Sequence, residues 1–150
     1  MIEVRCPAEA DTQAVGRKLA PTLRPGDIIL LAGGLGVGKT LFTAGLAAGL
    51  GVEEQVVSPS FVLVRQYRTG FLPIVHVDVY RLGSINEFDD LEVLDMAADG
   101  VLVIEWGDAL EGVIPEDHLR IDFAVEEDGT RVLRMVPSGK WTRRDLGLVA

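Results

Sequence analysis

The segment Gly33-Gly34-Leu35-Gly36-Val37-Gly38-Lys39-Thr40 matches G-x-x-x-x-G-K-[ST] and constrains the fold more than any other part of the chain. Its glycines allow the backbone to turn N–H groups onto a phosphate chain, Lys39 can reach the β- and γ-phosphates, and the Thr40 hydroxyl suits Mg²⁺. Such a pattern carries weight only when it follows a strand and opens a helix. Residues 28–32 (IILLA) are a continuous apolar run of strand length. Residues 39–50 (KTLFTAGLAAGL) have a helical period with nearly every position small or apolar, so that helix must be packed on most of its surface. Both conditions hold, and a helix N-terminus adds its partial positive charge. The expected ligand at this point is ATP or GTP with magnesium, held by Gly33, Gly36, Val37, Gly38, Lys39 and Thr40.

The flanking sequence predicts an α/β domain. Residues 11–20 (DTQAVGRKLA) read as a short amphipathic helix with Asp11 as its N-cap, stopped by Pro21. Residues 62–67 and 74–78 alternate around Thr69-Gly70 and read as two strands able to pair as a hairpin. Ser84 caps an expected helix over residues 85–96, with Glu87 completing a capping box. Residues 101–104 (VLVI) are a buried strand, and residues 119–125 and 131–136 are strands on either side of Asp128-Gly129-Thr130. Strands and helices intermixed without a linker or repeat predict a single domain over residues 1–150 with a P-loop NTPase fold. Its mixed central sheet has parallel core strands, antiparallel edge strands and flanking helices.

Composition narrows the function classes. The 150 residues suffice for one core and are too few for two ordinary domains. A net charge of −9 with only three lysines argues against an independent nucleic-acid binder, Arg143 and Arg144 being the nearest approach to a basic patch. The lone Cys6 has no disulfide partner, and neither a signal peptide nor a membrane span is legible, so a cytoplasmic location is expected.

Hydrolysis needs more than a cradle: a second carboxylate for the metal and a group that positions water. Glu105 follows the apolar run 101–104, at the strand end where open α/β sheets place ligands, and is the expected second metal ligand beside Thr40, directly or through water. Asp78 ends another strand and reads as a metal-supporting or water-orienting carboxylate, or as a helix cap or ion-pair partner of Arg81. His76 lies two residues before Asp78, on the same strand face. A lone histidine is more often a packed residue than a ligand, so metal ligation is not assigned to it.

The ordered set GGLGVGKT, Ser58-Pro59-Ser60-Phe61, His76-Val77-Asp78-Val79-Tyr80-Arg81-Leu82 and Ile104-Glu105-Trp106 resembles the TsaE (YjeE) family of bacterial P-loop ATPases, over about residues 9–125. H-x-D-x-Y-R-L followed by E-W is more distinctive than the P-loop alone. The resemblance implies an ATPase, with Lys39, Asp78 and Glu105 in its chemistry, that supports the proteins TsaB and TsaD in making threonylcarbamoyladenosine in tRNA. TsaD carries out the transfer, and the tRNA is met only through the partners. It further implies that Glu9 and Thr12 lie near the adenine and ribose, that Trp106 has a place in the site, and that residues 58–61 form a switch-like loop. The family usually has aspartate where this chain has Gly34, and threonine where it has Ser60. Two rival readings are a small P-loop kinase and a nucleotide-gated binding module with little hydrolysis, but no Arg-rich lid insertion of the kinase type is present.

Overall fold

The computed structural model describes residues 2–34, 36–57, 64–79, 92–106 and 114–148. Its elements are β1 (Ile2–Cys6), α1 (Glu9–Leu19), β2 (Asp27–Ala32), α2 (Lys39–Gly49), β3 (Val64–Tyr67), β4 (Ile74–Asp78), α3 (Val93–Met96), β5 (Val101–Glu105), β6 (His118–Val125) and β7 (Arg131–Ser138). The strands form one seven-stranded sheet in the order β1-β7-β6-β2-β5-β4-β3. Four neighbours, β6, β2, β5 and β4, run parallel, and both flanks are closed by antiparallel pairs. This is the mixed sheet that the sequence predicts, with both hairpins formed.

Strand alternation divides the core into two layers. Ile29 and Leu31 of β2, Val101 and Val103 of β5 and Ile74 of β4 pack with Val15 and Leu19 of α1 and Phe42 and Leu46 of α2. Ile28, Leu30, Val75, Val77, Leu102 and Ile104 face the other way, against Val93, Ala97 and Ile114. Strand β2 is buried at every position, as a central parallel strand covered on both faces must be.

The two long helices lie unusually close together. A Cβ on Gly45 of α2 would collide with the backbone carbonyl of Gln13, and one on Gly16 of α1 would collide with that of Phe42. Glycine at these positions lets the backbones touch, which draws the start of α1 up against the P-loop.

Four local expectations change. Helix α1 starts at Glu9, two residues before the predicted cap; Asp11 lies at its third position, where its carboxylate accepts the Ala8 backbone N–H at 2.9 Å. The first five described residues, not predicted as a strand, pair with β7 in antiparallel register. A continuous helix through residue 96 is interrupted, because Glu92 has a left-handed backbone (φ 53) and α3 begins only after it. Ser84 and Glu87 lie outside the described residues. Arg144 is not part of a phosphate-binding patch. Its guanidinium forms a two-pronged ion pair with Asp27 at 2.6 and 3.1 Å and stacks on Trp141, at the end of β2 opposite the P-loop.

Candidate nucleotide site

Strand β2 delivers the chain into Gly33, and α2 begins at Lys39, so the loop between them lies at the C-terminal edge of the parallel strands. Gly36 and Gly38 take left-handed backbone angles of 75° and 106°, which side chains rarely adopt. Gly33 is restricted by space: a Cβ there would come within 2.9 Å of the Phe123 carbonyl on β6. At Gly34 nothing lies within 4 Å of where a side chain would begin. The aspartate that the family resemblance leads one to expect there would meet no packing obstacle.

Lys39 is 5% exposed despite its charge. Its ammonium donates to the Gly33 carbonyl at 2.9 Å and lies 3.6 Å from the centroid of the Trp106 ring. Both contacts suit an ammonium group, one by accepting its hydrogen bond and the other by offering the negative face of the indole. Trp106 reaches this place through a left-handed backbone (φ 65), uncommon for an aromatic residue, immediately after β5. The family resemblance gives Trp106 a place in the site, and the structure sets its ring on Lys39. Thr40 follows in the first turn of α2, half-buried.

The carboxylates are assembled by register. Asp78 and Glu105 are direct partners at the ends of parallel β4 and β5, and Leu31 of β2 pairs with Glu105 on its other side. Leu31 belongs to the α1–α2 layer, so this register level faces α2. Both carboxylates are buried, at 3% and 5% exposure. His76 is also fully buried, and its Nε2 is 2.6 Å from Glu105 Oε2. The sequence places His76 on the face of Asp78; only the fold shows that its partner is Glu105, 29 residues later.

Arg131 is a site residue that the sequence does not reveal. It opens β7, and its guanidinium Nε donates to the Val37 carbonyl at 3.1 Å, with Nη2 3.5 Å from that of Gly36. It braces the cradle from the far side of the sheet and adds a positive charge there. Its only local signal is its place after the Asp-Gly turn, which identifies a hairpin and says nothing about what lies across from it. Thr12 is buried in α1, its methyl group 3.4 Å from where a Cβ on Gly38 would lie, while Glu9 at the head of α1 is exposed. Residues 58–61 and Tyr80, Arg81 and Leu82 lie outside the described residues. Burial holds the Cys6 thiol above its ordinary pKa, which makes it a packed side chain and not a nucleophile.

Among the described residues no three His, Cys, Asp or Glu side chains gather into a metal cage. A nucleotide-dependent site needs none, because the phosphates and water supply most of the oxygen ligands. The described residues contain no helix long and apolar enough to cross a membrane.

Comparison with known proteins bears on the family and the fold. The family model described as threonylcarbamoyl adenosine biosynthesis protein TsaE matches residues 6–133. The protein of Streptomyces coelicolor called tRNA threonylcarbamoyladenosine biosynthesis protein TsaE is 41% identical, over 91% of this chain and 97% of its own length. The protein of the same name from Bacillus subtilis is 36% identical, over 86% and 81%. The crystal structure of Bacillus YdiB superposes with a TM-score of 0.78 at 30% identity, over 94% of this chain and 88% of that one. With a P-loop, a strand-end carboxylate pair and a match across most of its length, the chain belongs to the TsaE family.

Proposed function

We propose that the chain binds ATP with Mg²⁺ at this edge of the sheet and hydrolyses it, and that turnover supports a TsaB–TsaD assembly in forming threonylcarbamoyladenosine in tRNA. The observation that carries the reading is convergence: Lys39 at the head of α2 and the Asp78–Glu105 pair at two adjacent strand ends lie at the same edge and on the same face of the sheet.

In this reading the backbone N–H groups between Gly36 and Thr40 hold the phosphate oxygens, and the α2 N-terminus adds its dipole. Lys39 leaves the Gly33 carbonyl for the terminal phosphates, where its charge stabilises the transferred group. The Thr40 hydroxyl and the Glu105 carboxylate are hard oxygen donors of the kind that magnesium takes. When bound, the ion neutralises charge on the β- and γ-phosphate oxygens. Asp78, beside Glu105, orients the attacking water. Arg131 keeps the loop carbonyls turned away from the phosphates, so that the N–H groups face them. Glu9 and Thr12, at the start of α1, form the adenine and ribose side. The net charge of −9 assigns tRNA contact to the partners, and the reading places the chain in the cytoplasm with its substrate pathway.

The test is ATP hydrolysis by the chain alone and with purified TsaB and TsaD. Stimulation by the pair and a stable complex are expected. Neither binding nor stimulation would overturn the pathway role and leave ATP binding standing. Stoichiometric phosphorylation of a small acceptor would favour a kinase instead.

A further inference from the structure

We infer that His76 is a positioning residue for the Glu105 carboxylate, holding one of its oxygens so that the other is presented to the metal. This deepens the proposed function and rests on its reading of Glu105 as a metal ligand.

The contact is short and dry. Nε2 and Oε2 are 2.6 Å apart, with the side chains 0% and 6% exposed. As a metal ligand Glu105 is a carboxylate, which only accepts hydrogen bonds, so in this arrangement Nε2 carries the hydrogen and Glu105 Oε2 receives it. The other ring nitrogen, Nδ1, is buried with no hydrogen-bond partner among the described residues. Among those residues Glu105 is therefore the ring's one hydrogen-bond partner. A buried unpaired polar atom costs about 1–3 kcal/mol, so a histidine serving only to fill this space would be worse than leucine or phenylalanine. Its justification lies in what it does to Glu105.

The backbone of Glu105 is already fixed. It pairs with Leu31 on β2 and Asp78 on β4, and its carbonyl accepts the Val79 N–H at 3.3 Å. The remaining freedom is in the side-chain torsions, which would let the carboxylate swing. The His76 backbone is held between strands, paired with Val103 on β5 and Arg65 on β3, and its buried ring lies near that of Tyr67. A bond from a rigid ring removes the swing and leaves Oε1 for a metal or its water. Carboxylates that ligate metals are commonly hydrogen-bonded in this way, and removal of such partners lowers metal affinity about 10- to 100-fold.

The test uses Mn²⁺ as the probe, bound with ADP and followed by electron paramagnetic resonance, on wild type, His76→Leu, His76→Gln and Glu105→Gln. His76→Leu is expected to lower Mn²⁺ affinity about 10- to 100-fold. ADP binding in excess chelator should stay at the wild-type level, and the melting temperature should fall by no more than the loss of one buried hydrogen bond to Glu105 accounts for. His76→Gln, which retains an N–H donor, should recover most of the loss. Unchanged Mn²⁺ affinity in His76→Leu would overturn the inference, as would an equal loss of metal-free ADP binding. If Glu105→Gln weakens Mn²⁺ binding and His76→Leu does not, only the inference falls; if neither does, the metal assignment to Glu105 falls first. Nitrogen-15 NMR of the wild-type imidazoles needs no substitution to fold. A hydrogen on Nε2, with Nδ1 bare, is expected for His76, and a hydrogen on Nδ1 alone would overturn the inference.

Discussion

The P-loop and the strand-end carboxylates lie at one edge of the sheet, yet they are built by different means. The cradle is contiguous. It is made mostly of main-chain groups, and its side chains Lys39 and Thr40 lie next to each other in the first turn of one helix. The carboxylate cluster is discontiguous: His76 and Asp78 come from β4, Glu105 comes from β5, and only parallel register brings them together. The cradle should accordingly govern how tightly phosphates are held, and the cluster what happens to them once bound.

Glu105→Gln should separate the two most clearly. Metal-dependent hydrolysis is expected to fall about 100- to 1,000-fold, with nucleotide binding in chelator retained; equal losses in both would remove the division of labour. Lys39→Ala should do the converse, weakening ATP binding by about 100-fold with or without metal, as expected for loss of charge-assisted bonds to phosphate. Titration calorimetry in both conditions reads it.

Smaller effects test what supports each part. Gly45→Ala forces a methyl group into the Gln13 carbonyl, so it should destabilise by about 1–3 kcal/mol and lower the melting temperature by roughly 2–10 °C. Arg131→Ala frees the Val37 carbonyl. It should reduce nucleotide affinity by about fivefold, corresponding to one hydrogen bond of about 1 kcal/mol, while the metal dependence is unchanged. A shift in metal affinity would mean that the brace reaches the carboxylates. Gly34→Asp places the residue expected from the family resemblance at a position with open space around it. Its melting curve should stay within about 0.5 kcal/mol of wild type, which leaves any change in turnover to chemistry and not to packing.

Most of the cradle was legible in advance because its chemistry depends on φ angles and a helix start, and both are local. The apolar run of β2, the period of α2 and the Asp-Gly turn between β6 and β7 were legible for the same reason. The start of α1 was misplaced because Asp11 can serve either as a cap or, as here, at the third helical position reaching back to the Ala8 N–H. Strand β1 was missed because a five-residue stretch that is only partly buried acquires its identity from β7, 125 or more positions away in register. Asp78 and Glu105 were each recognisable as strand-end carboxylates, but their adjacency depends on β5 lying between β2 and β4.

The sequence by itself determined the glycine-rich loop with its strand and helix, the fold class and the motifs that mark the TsaE family, because each is written in neighbouring residues or in a short period. The tertiary structure decided that His76 holds Glu105, that Arg131 braces the loop from β7 and that the Trp106 ring covers Lys39. These three contacts span 29, 94 and 67 positions of chain. No local rule specifies such pairings: they follow from strand order and register, which are set by burying both faces of the sheet at once.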